Sequence, residues 1–542
     1  MPIHRRLTVL SLVLACSSLP STPVRPVTAT AISAADLRTR LFIFADDSML
    51  GRNALDRPGD ERATNYLAAE LKRMGLIPAG EQGTYFQTFS IHSRRLDSTS
   101  LIMVGDAVLH PTADFKVFLF DRGQPRAIEQ AQVIFGGVVG DTSTQISAAD
   151  AARRFVLLGV PAGMTAEHVY ANVLYGPASR FKDAVAVAIA SLDYLPPHQR
   201  TISSSVALAD TTEPLANAHP ISILVSHRVA DLLLGSDLDH AKAGTIGRAV
   251  TAKLAINEAD YPTRNVIAVI PGSDSTLKNE YVALGAHSDH LGISTRPLEH
   301  DSVRVYAIET QRRRREGTQT SSVRVNVDSL RRIRAARPDS IYNGADDDGS
   351  GSVALLEIAE RFAAARQHPR RSLLFVWHAA EEMGLVGSGW FTDHPTVPLD
   401  SVIAQLNLDM VGRGDASDLR SGGPRYLEVI GSGRRSSALH DAIEAVNTAS
   451  ESPLSLNTLD PNGVFCRSDH WSYARFGIPI AFFTTGLHAD YHQVTDEAQY
   501  IDYAKLERVT QFVSEVARAL AGTSARFEPL GKRPVFAPFC TG

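Results

Sequence analysis

The sequence predicts an α/β protein, a three-layer sandwich around a mostly parallel sheet, with an inserted β-rich domain. Three observations lead there. The runs "NVIAVI", "YVALGA", "SLLFVW", "VIAQLNL" and "IPIAFFTT" are near-continuously apolar, as strands buried on both faces of a sheet must be. Helical patterns such as "SVALLEIAERFAAAR" and "SSALHDAIEAVN" stand between them, and this alternation builds a sheet sandwiched by helices. Ahead of them lies a separate stretch of short β-rich runs, "FKVFLF", "AQVIFGGVV", "RFVLLGV" and "AVAVAIA".

Taken in order, the chain opens on "MPIHRRLTVLSLVLAC". Basic Arg5 and Arg6 precede an apolar run from Leu7 to Ala15 that is too short to span a bilayer and reads as an export signal. The run ends in Val13-Leu14-Ala15-Cys16, which resembles a bacterial lipoprotein cleavage box, with Leu14 a less usual residue there. The expectation is an exported protein, periplasmic or secreted, either released or held at a membrane by a lipid on Cys16. Residues 1–33 are therefore assigned to signal and linker. Residues 34–113 form the first part of the main domain, with a helix across "NYLAAELKRM" ended by Gly75 and Pro78. Residues 114–255 form the β-rich insert, 256–525 the remainder of the main domain, and 526–542 a tail. Within the main domain, residues 296–337 are rich in arginine, with a run from Arg312 to Arg315. A solvated, flexible excursion is expected there. Loss or lipidation of Cys16 leaves Cys466 and Cys540, either unpaired or joined in one disulfide.

The chain has 542 residues, 44% hydrophobic and 21% charged, with a formal charge of -5. That is enough to bury large cores, and it lacks the basic excess that nucleic-acid binding requires.

The stretch "YNGADDDGSGSVALLEIAE" sets the chemical question, because Asp346, Asp347 and Asp348 together are costly unless a cation sits on them. Asp346, Asp348, Ser350, Gly351 and Glu357 fall on the spacing of a calcium-binding loop. Pro338, Asn343 and Gly344, however, break the helix that such a loop needs before it. The rest of the chain favours a transition metal. "YVALGA" runs into His287, Ser288, Asp289 and His290; "SLLFVWHAA" into Glu381 and Glu382; "VIAQLNL" into Asp409. "IPIAFFTT" is followed by "GLHADYH", which ends at His492. The carboxyl ends of neighbouring strands are where open α/β sheets build their sites. Two metal ions about 3.5–4 Å apart need one bridging carboxylate and further ligands for each. Imidazole and carboxylate donors suit zinc. Of two adjacent glutamates, one can bind metal while the other moves protons.

The motifs "GAHSDHLG", "NGADDDGSG", "AAEEMGLVGS", "LNLDMVG", "RSDHWSYARFGIP" and "DYHQVTDE", in this order, resemble the secreted zinc-dependent aminopeptidase family with two co-catalytic metals. Glutamate carboxypeptidase and glutaminyl cyclases are its wider relatives. The insert, through "RRFVLLGVPAG", resembles the protease-associated domain that many members carry. The resemblance implies peptide substrates and two Zn²⁺ per chain. It places His287 and Asp409 on one ion, Glu382 and His492 on the other, and Asp347 between them. It also implies Glu381 as the base that activates the water between the ions and returns its proton to the leaving amine. Asp289 would hydrogen-bond the His287 ring, and Asp346, Asp348, Asp469 and His470 would either be structural or stand behind the ligands. Some members place an oxyanion-stabilising tyrosine just before the S-D-H motif; here Phe465, Cys466 and Arg467 stand there.

The leading expectation is thus a metal-dependent exopeptidase that removes N-terminal residues, with a carboxypeptidase or a glutaminyl cyclase as alternatives. A catalytically dead binding module would lack ligands, and none is missing. No G-x-S-x-G or H-E-x-x-H occurs, which disfavours a serine hydrolase and a zincin.

Overall fold

The computed structural model describes residues 28–119, 127–161, 163, 180–195, 200, 203–208, 220–318, 320, 323–419 and 421–527. The larger sheet takes β1 (Phe86–Leu96), β2 (Ser204–Leu208), β3 (Ile256–Ile270), β4 (Tyr281–His287), β5 (Ser372–His378), β6 (Val402–Leu408), β7 (Tyr426–Ile430), β8 (Ser455–Asn457) and β9 (Ile480–Thr484). Their order is β8-β7-β9-β6-β4-β5-β3-β1-β2. Parallel pairing joins β5, β4, β6 and β9, four of the five strands that the apolar runs predict, and the fifth run, "NVIAVI", ends β3. The sheet is mixed overall, because β3 runs antiparallel to β5 and β7 antiparallel to β9.

Helices cover both faces. On one lie α1 (Ala34–Phe44), α2 (Arg57–Met74), α5 (Gly351–Ala363) and α6 (Tyr503–Gly522), with Leu41, Leu67, Leu355 and Val513 fully buried between them and the sheet. The other face packs Phe391, Tyr473 and Ile480 into a second core. α2 ends on Gly75 in the left-handed conformation (φ 79°), where its amide caps Leu71 and Lys72 carbonyls. Buried Arg40 of α1 ties three helices together: it donates to Glu357 (2.6 Å) and Glu360 of α5 and to Glu70 of α2 (2.8 Å).

Asp60, in the first turn of α2, is buried against β3 and accepts a hydrogen bond from Thr263 Oγ1 (2.9 Å). Burial pushes its carboxyl up to about 7 despite that bond and the nearby Arg264. A carboxyl raised in the fold stabilises it below the unfolded-state value and loses that contribution as pH climbs through the folded one. Thermal melts should therefore show the protein losing stability between about pH 4 and pH 7. Asp60→Asn should remove that slope and gain about 2–4 kcal/mol at pH 8. Parallel melting curves against pH for the two proteins would defeat this assignment.

The smaller sheet is built by Leu101–Val104, Ala107–Leu109, Phe115–Phe118, Ala127–Val138, Phe155–Gly159, Ala186–Ile189, Ile221–Val225 and Ile246–Lys253, with cores of its own. It starts ahead of residue 114, since Ile102, Val104 and Leu109 are buried in its core. Conversely, Ser204–Leu208 pairs with β1 and so belongs to the larger sheet.

The arginine-rich segment differs from expectation. It is not a flexible excursion but a folded unit: an antiparallel ribbon of Gly292–Glu299 with Pro338–Tyr342 carries α3 (His300–Arg315) and α4 (Val327–Ile333). Arg312 pairs with Glu309 and Glu316, a helix-spaced ladder that the composition concealed. Arg304 reaches Asp490 (2.8 Å) and stacks 3.4 Å over the Tyr500 ring, which docks α3 on the main domain. Of the tail expected at 526–542, all beyond Phe527 lies outside the described residues, as do the signal and Cys16. Arg526 bonds Glu280 (2.6 Å). Cys466 is disulfide-bonded, and both other cysteines lie outside the described residues.

Candidate metal centre

The predicted residues gather at the carboxyl ends of the parallel strands. His287 is the last residue of β4, Glu381 and Glu382 follow β5 by a tight turn, and Asp409 follows β6. The aspartate triplet opens α5, and its members have separate tasks. Asp348 straps three segments together, accepting from the amides of His287 (2.9 Å), Gly351 (2.9 Å) and Met410 (3.4 Å). Asp346 accepts from the Gly412 amide (2.7 Å) and faces His488 Nε2 (3.1 Å). Asp496 in turn accepts from the amides of Asp346 and Asp347. Held on both sides, Asp347 projects into the centre. Gly351 must be glycine here, because a Cβ would lie 2.3 Å from both Asp348 Oδ1 and Leu408 O. The calcium reading falls with these contacts: Asp346 and Asp348 bind main-chain amides, and Glu357 is taken by Arg40.

The two oxygens of Asp347 face different partners. Oδ1 lies 3.1 Å from His287 Nε2, which is 3.6 Å from Asp409 Oδ1. Oδ2 lies 3.2 Å from His492 Nε2, which is 3.0 Å from Glu382 Oε2. All five residues expected to hold metal are thus brought together, in the two sets expected. Ser468 Oγ donates to Asp409 Oδ2 (2.7 Å) and so turns Oδ1 toward His287. Glu381 lines the same cavity, with Oε2 4.0 Å from His287 Nε2.

Two details differ from the sequence reading. The ring Nδ1 of His287 is nearer the Asp289 main-chain carbonyl (3.1 Å) than its carboxylate (3.7 Å). That carboxylate accepts instead from the amides of Glu381 (3.0 Å) and Glu382 (3.4 Å), so Asp289 shapes the glutamate turn. His290 carried no assigned role, yet it is fully buried, with Nδ1 2.6 Å from Glu382 Oε1 and 4.0 Å from Asp347 Oδ2. The only sequence signal for it was its place in "HSDH". Asp469 faces His378 Nδ1 (3.2 Å), and His470 Nε2 faces the Phe465 carbonyl (2.6 Å). A tyrosine does line the cavity, but it is Tyr491, whose ring stacks 3.8 Å from that of His492.

These groups fit a cation. Asp409 Oδ1 and His290 Nε2 are buried without a hydrogen-bond partner, and His287 Nε2, His290 Nδ1 and Glu382 Oε1 meet their neighbours at contact distance without hydrogen-bond geometry. Buried polar atoms left this way are costly unless something binds them. The carboxylates and imidazoles also distort one another. Burial pushes Glu381 well above the usual carboxylate range, and Glu382, Asp409 and Asp469 add to it beyond what His287 offsets. Burial opposes ionisation of Asp347 too, but His287 and His492 outweigh it and hold that carboxyl well below its ordinary value. Imidazole and carboxylate donors with no thiolate suit zinc.

A buried histidine–carboxylate cluster thus stands at the parallel strand ends of a mixed sheet. Residues 265–517 match the family model described as Peptidase family M28. Leupeptin-inactivating enzyme 1 of Streptomyces exfoliatus is 30% identical over 164 residues, 30% of this chain and 33% of that protein. Leucine aminopeptidase 1 of Paracoccidioides brasiliensis (strain Pb18) is 31% identical over 169 residues, 30% of this chain and 42% of that protein. The chain thus spans well under half the length of these curated relatives. In fold it is similar to an aminopeptidase from Aneurinibacillus sp. strain AM-1, with a TM-score of 0.54 at 17% identity, covering 92% of this chain and 96% of that one.

Proposed function

We propose that the protein is a dinuclear zinc aminopeptidase, hydrolysing N-terminal residues from peptides. One observation carries this reading: Asp347 turns one oxygen toward His287 and Asp409 and the other toward His492 and Glu382. In this reading those five residues hold two Zn²⁺. When bound, such ions polarise a carbonyl and make water a nucleophile near neutral pH. The protein supplies the proton path. Glu381, whose carboxyl lines the cavity 4.0 Å from His287 Nε2, accepts a proton from the attacking water and returns it to the leaving amine. The Tyr491 hydroxyl stays protonated, because burial and the neighbouring carboxylates push it upward, and donates toward the carbonyl oxygen. Met410, Val464, Phe482 and Leu487 form an apolar wall beside these groups, suited to an apolar first side chain. A single-ion glutaminyl cyclase would leave one of the two donor sets without a purpose.

The test is one peptide with both ends free, incubated with zinc-loaded protein and followed by mass spectrometry. A ladder shortening from the N-terminus is expected. Shortening from the C-terminus would replace the reading with a carboxypeptidase, and an unchanged peptide would remove it.

We infer in addition that the protein is exported, with Cys16 either removed with the signal or lipidated; the intact mass of the exported protein distinguishes the two. Among the described residues no helix is long and apolar enough to cross a membrane. The unit on residues 101–253 is read as a protease-associated-like domain, supported by its separate sheet and cores. A cooperative melt of that unit expressed alone is the outcome this assignment requires.

A further inference from the structure

The cavity beside Glu381 contains a charge that the hydrolytic machinery does not use. Its acidic lining, Asp347, Glu381 and Asp409, faces the metal centre. Its one cationic side chain among the described residues that is not a histidine is Arg467. Other arginines near the site are engaged: Arg413 pairs with Asp418 and Asp490, Arg304 with Asp490 and Arg475 with Asp393, and buried Arg52 donates to the carbonyls of Ser288, Asn343 and Gly344. No carboxylate of the described residues pairs with Arg467; its Nη2 reaches only the Tyr491 hydroxyl, at 3.4 Å. Because the Tyr491 ring stacks on His492, the guanidinium stands one aromatic ring away from a metal-ligand histidine.

The loop that presents Arg467 is fixed. Asp460 accepts from the amides of Val464 (2.7 Å) and Phe465 (3.0 Å), and the Arg467 amide closes a turn onto the Val464 carbonyl (2.9 Å). Cys466 on one side is disulfide-bonded, and Ser468 on the other is tied to Asp409. An exposed guanidinium held on a rigid turn at the mouth of a catalytic cavity is permanently charged, and its planar fork matches a carboxylate.

We propose that Arg467 binds a carboxylate of the substrate, so that the enzyme selects peptides with an anionic group close behind the scissile bond. Two groups supply that chemistry: the free C-terminus of a short peptide, or an acidic side chain following the first residue. A substrate whose first side chain rests on the wall of Met410, Val464, Phe482 and Leu487 and whose carbonyl lies at Glu381 directs its next residue toward the cavity mouth, where Arg467 stands. This inference rests on the peptidase reading of the same site.

The experiment compares kcat/KM of the zinc-loaded protein on Leu-Gly, Leu-Gly-amide and Leu-Asp-amide, for wild type, Arg467→Gln and Arg467→Lys. Wild type should favour Leu-Gly over its amide by roughly 10- to 100-fold, the range of a charge-assisted hydrogen bond. Arg467→Gln should collapse that ratio toward one, and Arg467→Lys should keep part of it. Preference for Leu-Asp-amide over Leu-Gly-amide assigns the site to acidic side chains as well; its absence assigns it to the C-terminus. Equal wild-type rates on all three, or a preference that Arg467→Gln leaves intact, would overturn the proposal while leaving the peptidase reading in place. A measurement that needs no turnover separates the two: calorimetric titration of zinc-loaded Glu381→Gln with Leu-Gly and with its amide. Tighter binding of Leu-Gly that Arg467→Gln abolishes supports the anchor even if no peptide is cleaved, and equal affinities overturn it.

Discussion

Glu381→Ala is expected to lower kcat roughly 10²- to 10⁴-fold, the range supplied by a positioned general acid–base, while zinc content stays at the wild-type value. The reason is geometric. Glu381 lines the cavity without belonging to either donor set, since its Oε2 is 4.0 Å from His287 Nε2 and the sets close through Asp409 and Glu382. Its main chain, not its side chain, holds the turn, because its amide bonds Asp289. Removing the carboxyl also removes a buried acid crowded by Glu382, Asp409 and Asp469, so the variant should fold at least as well as wild type. Elemental analysis and a melting curve beside the rate measurement make the distinction. Turnover near wild type would refute the proton-transfer role, and loss of zinc together with turnover would move Glu381 into the ligand set.

Asp347→Ala should do the reverse of the first part: it should lose metal, and activity with it. Asp347 is shared by both sets, facing His287 through one oxygen and His492 through the other. Its removal should weaken zinc binding by more than the roughly 10- to 100-fold that follows loss of a supporting hydrogen bond alone. Equilibrium dialysis against a zinc buffer measures this directly. The triplet provides its own control, because Asp346 and Asp348 bind amides of the surrounding loops and their loss should lower stability as well as metal affinity. Wild-type zinc affinity in Asp347→Ala would dismantle the two-ion arrangement.

The paired contrast depends on adjacent glutamates with different surroundings. Glu382 lies between His290 and His492, whereas Glu381 faces His287 across the cavity. Which glutamate did which task came from resemblance rather than from the residues themselves, since two neighbours in a loop carry the same chemistry. The asymmetry arises because Asp289 grips both amides and so sets the direction in which each side chain leaves the turn.

What the sequence determined by itself was local. Apolar runs had to be buried strands, so the residues that ended them had to sit on one edge of the sheet, and their identity restricted the chemistry to an oxygen- and imidazole-bound cation. A histidine of "HSDH", one of Glu381 and Glu382, Asp409, His492 and one aspartate of the triplet were legible for that reason, while which member of each group served came from the resemblance. What only the tertiary structure decided was which atoms meet across long separations. Asp346 with His488, Ser468 with Asp409 and Arg304 with Asp490 join segments that share no periodicity. The same holds for His290 against Glu382, and for the arginine-rich segment, whose composition reads as solvated until Asp490 and the Tyr500 ring give Arg304 a place to dock. Periodicity reports which face of an element is buried; it carries no record of the residue on the other side, and a metal centre is made of such pairings.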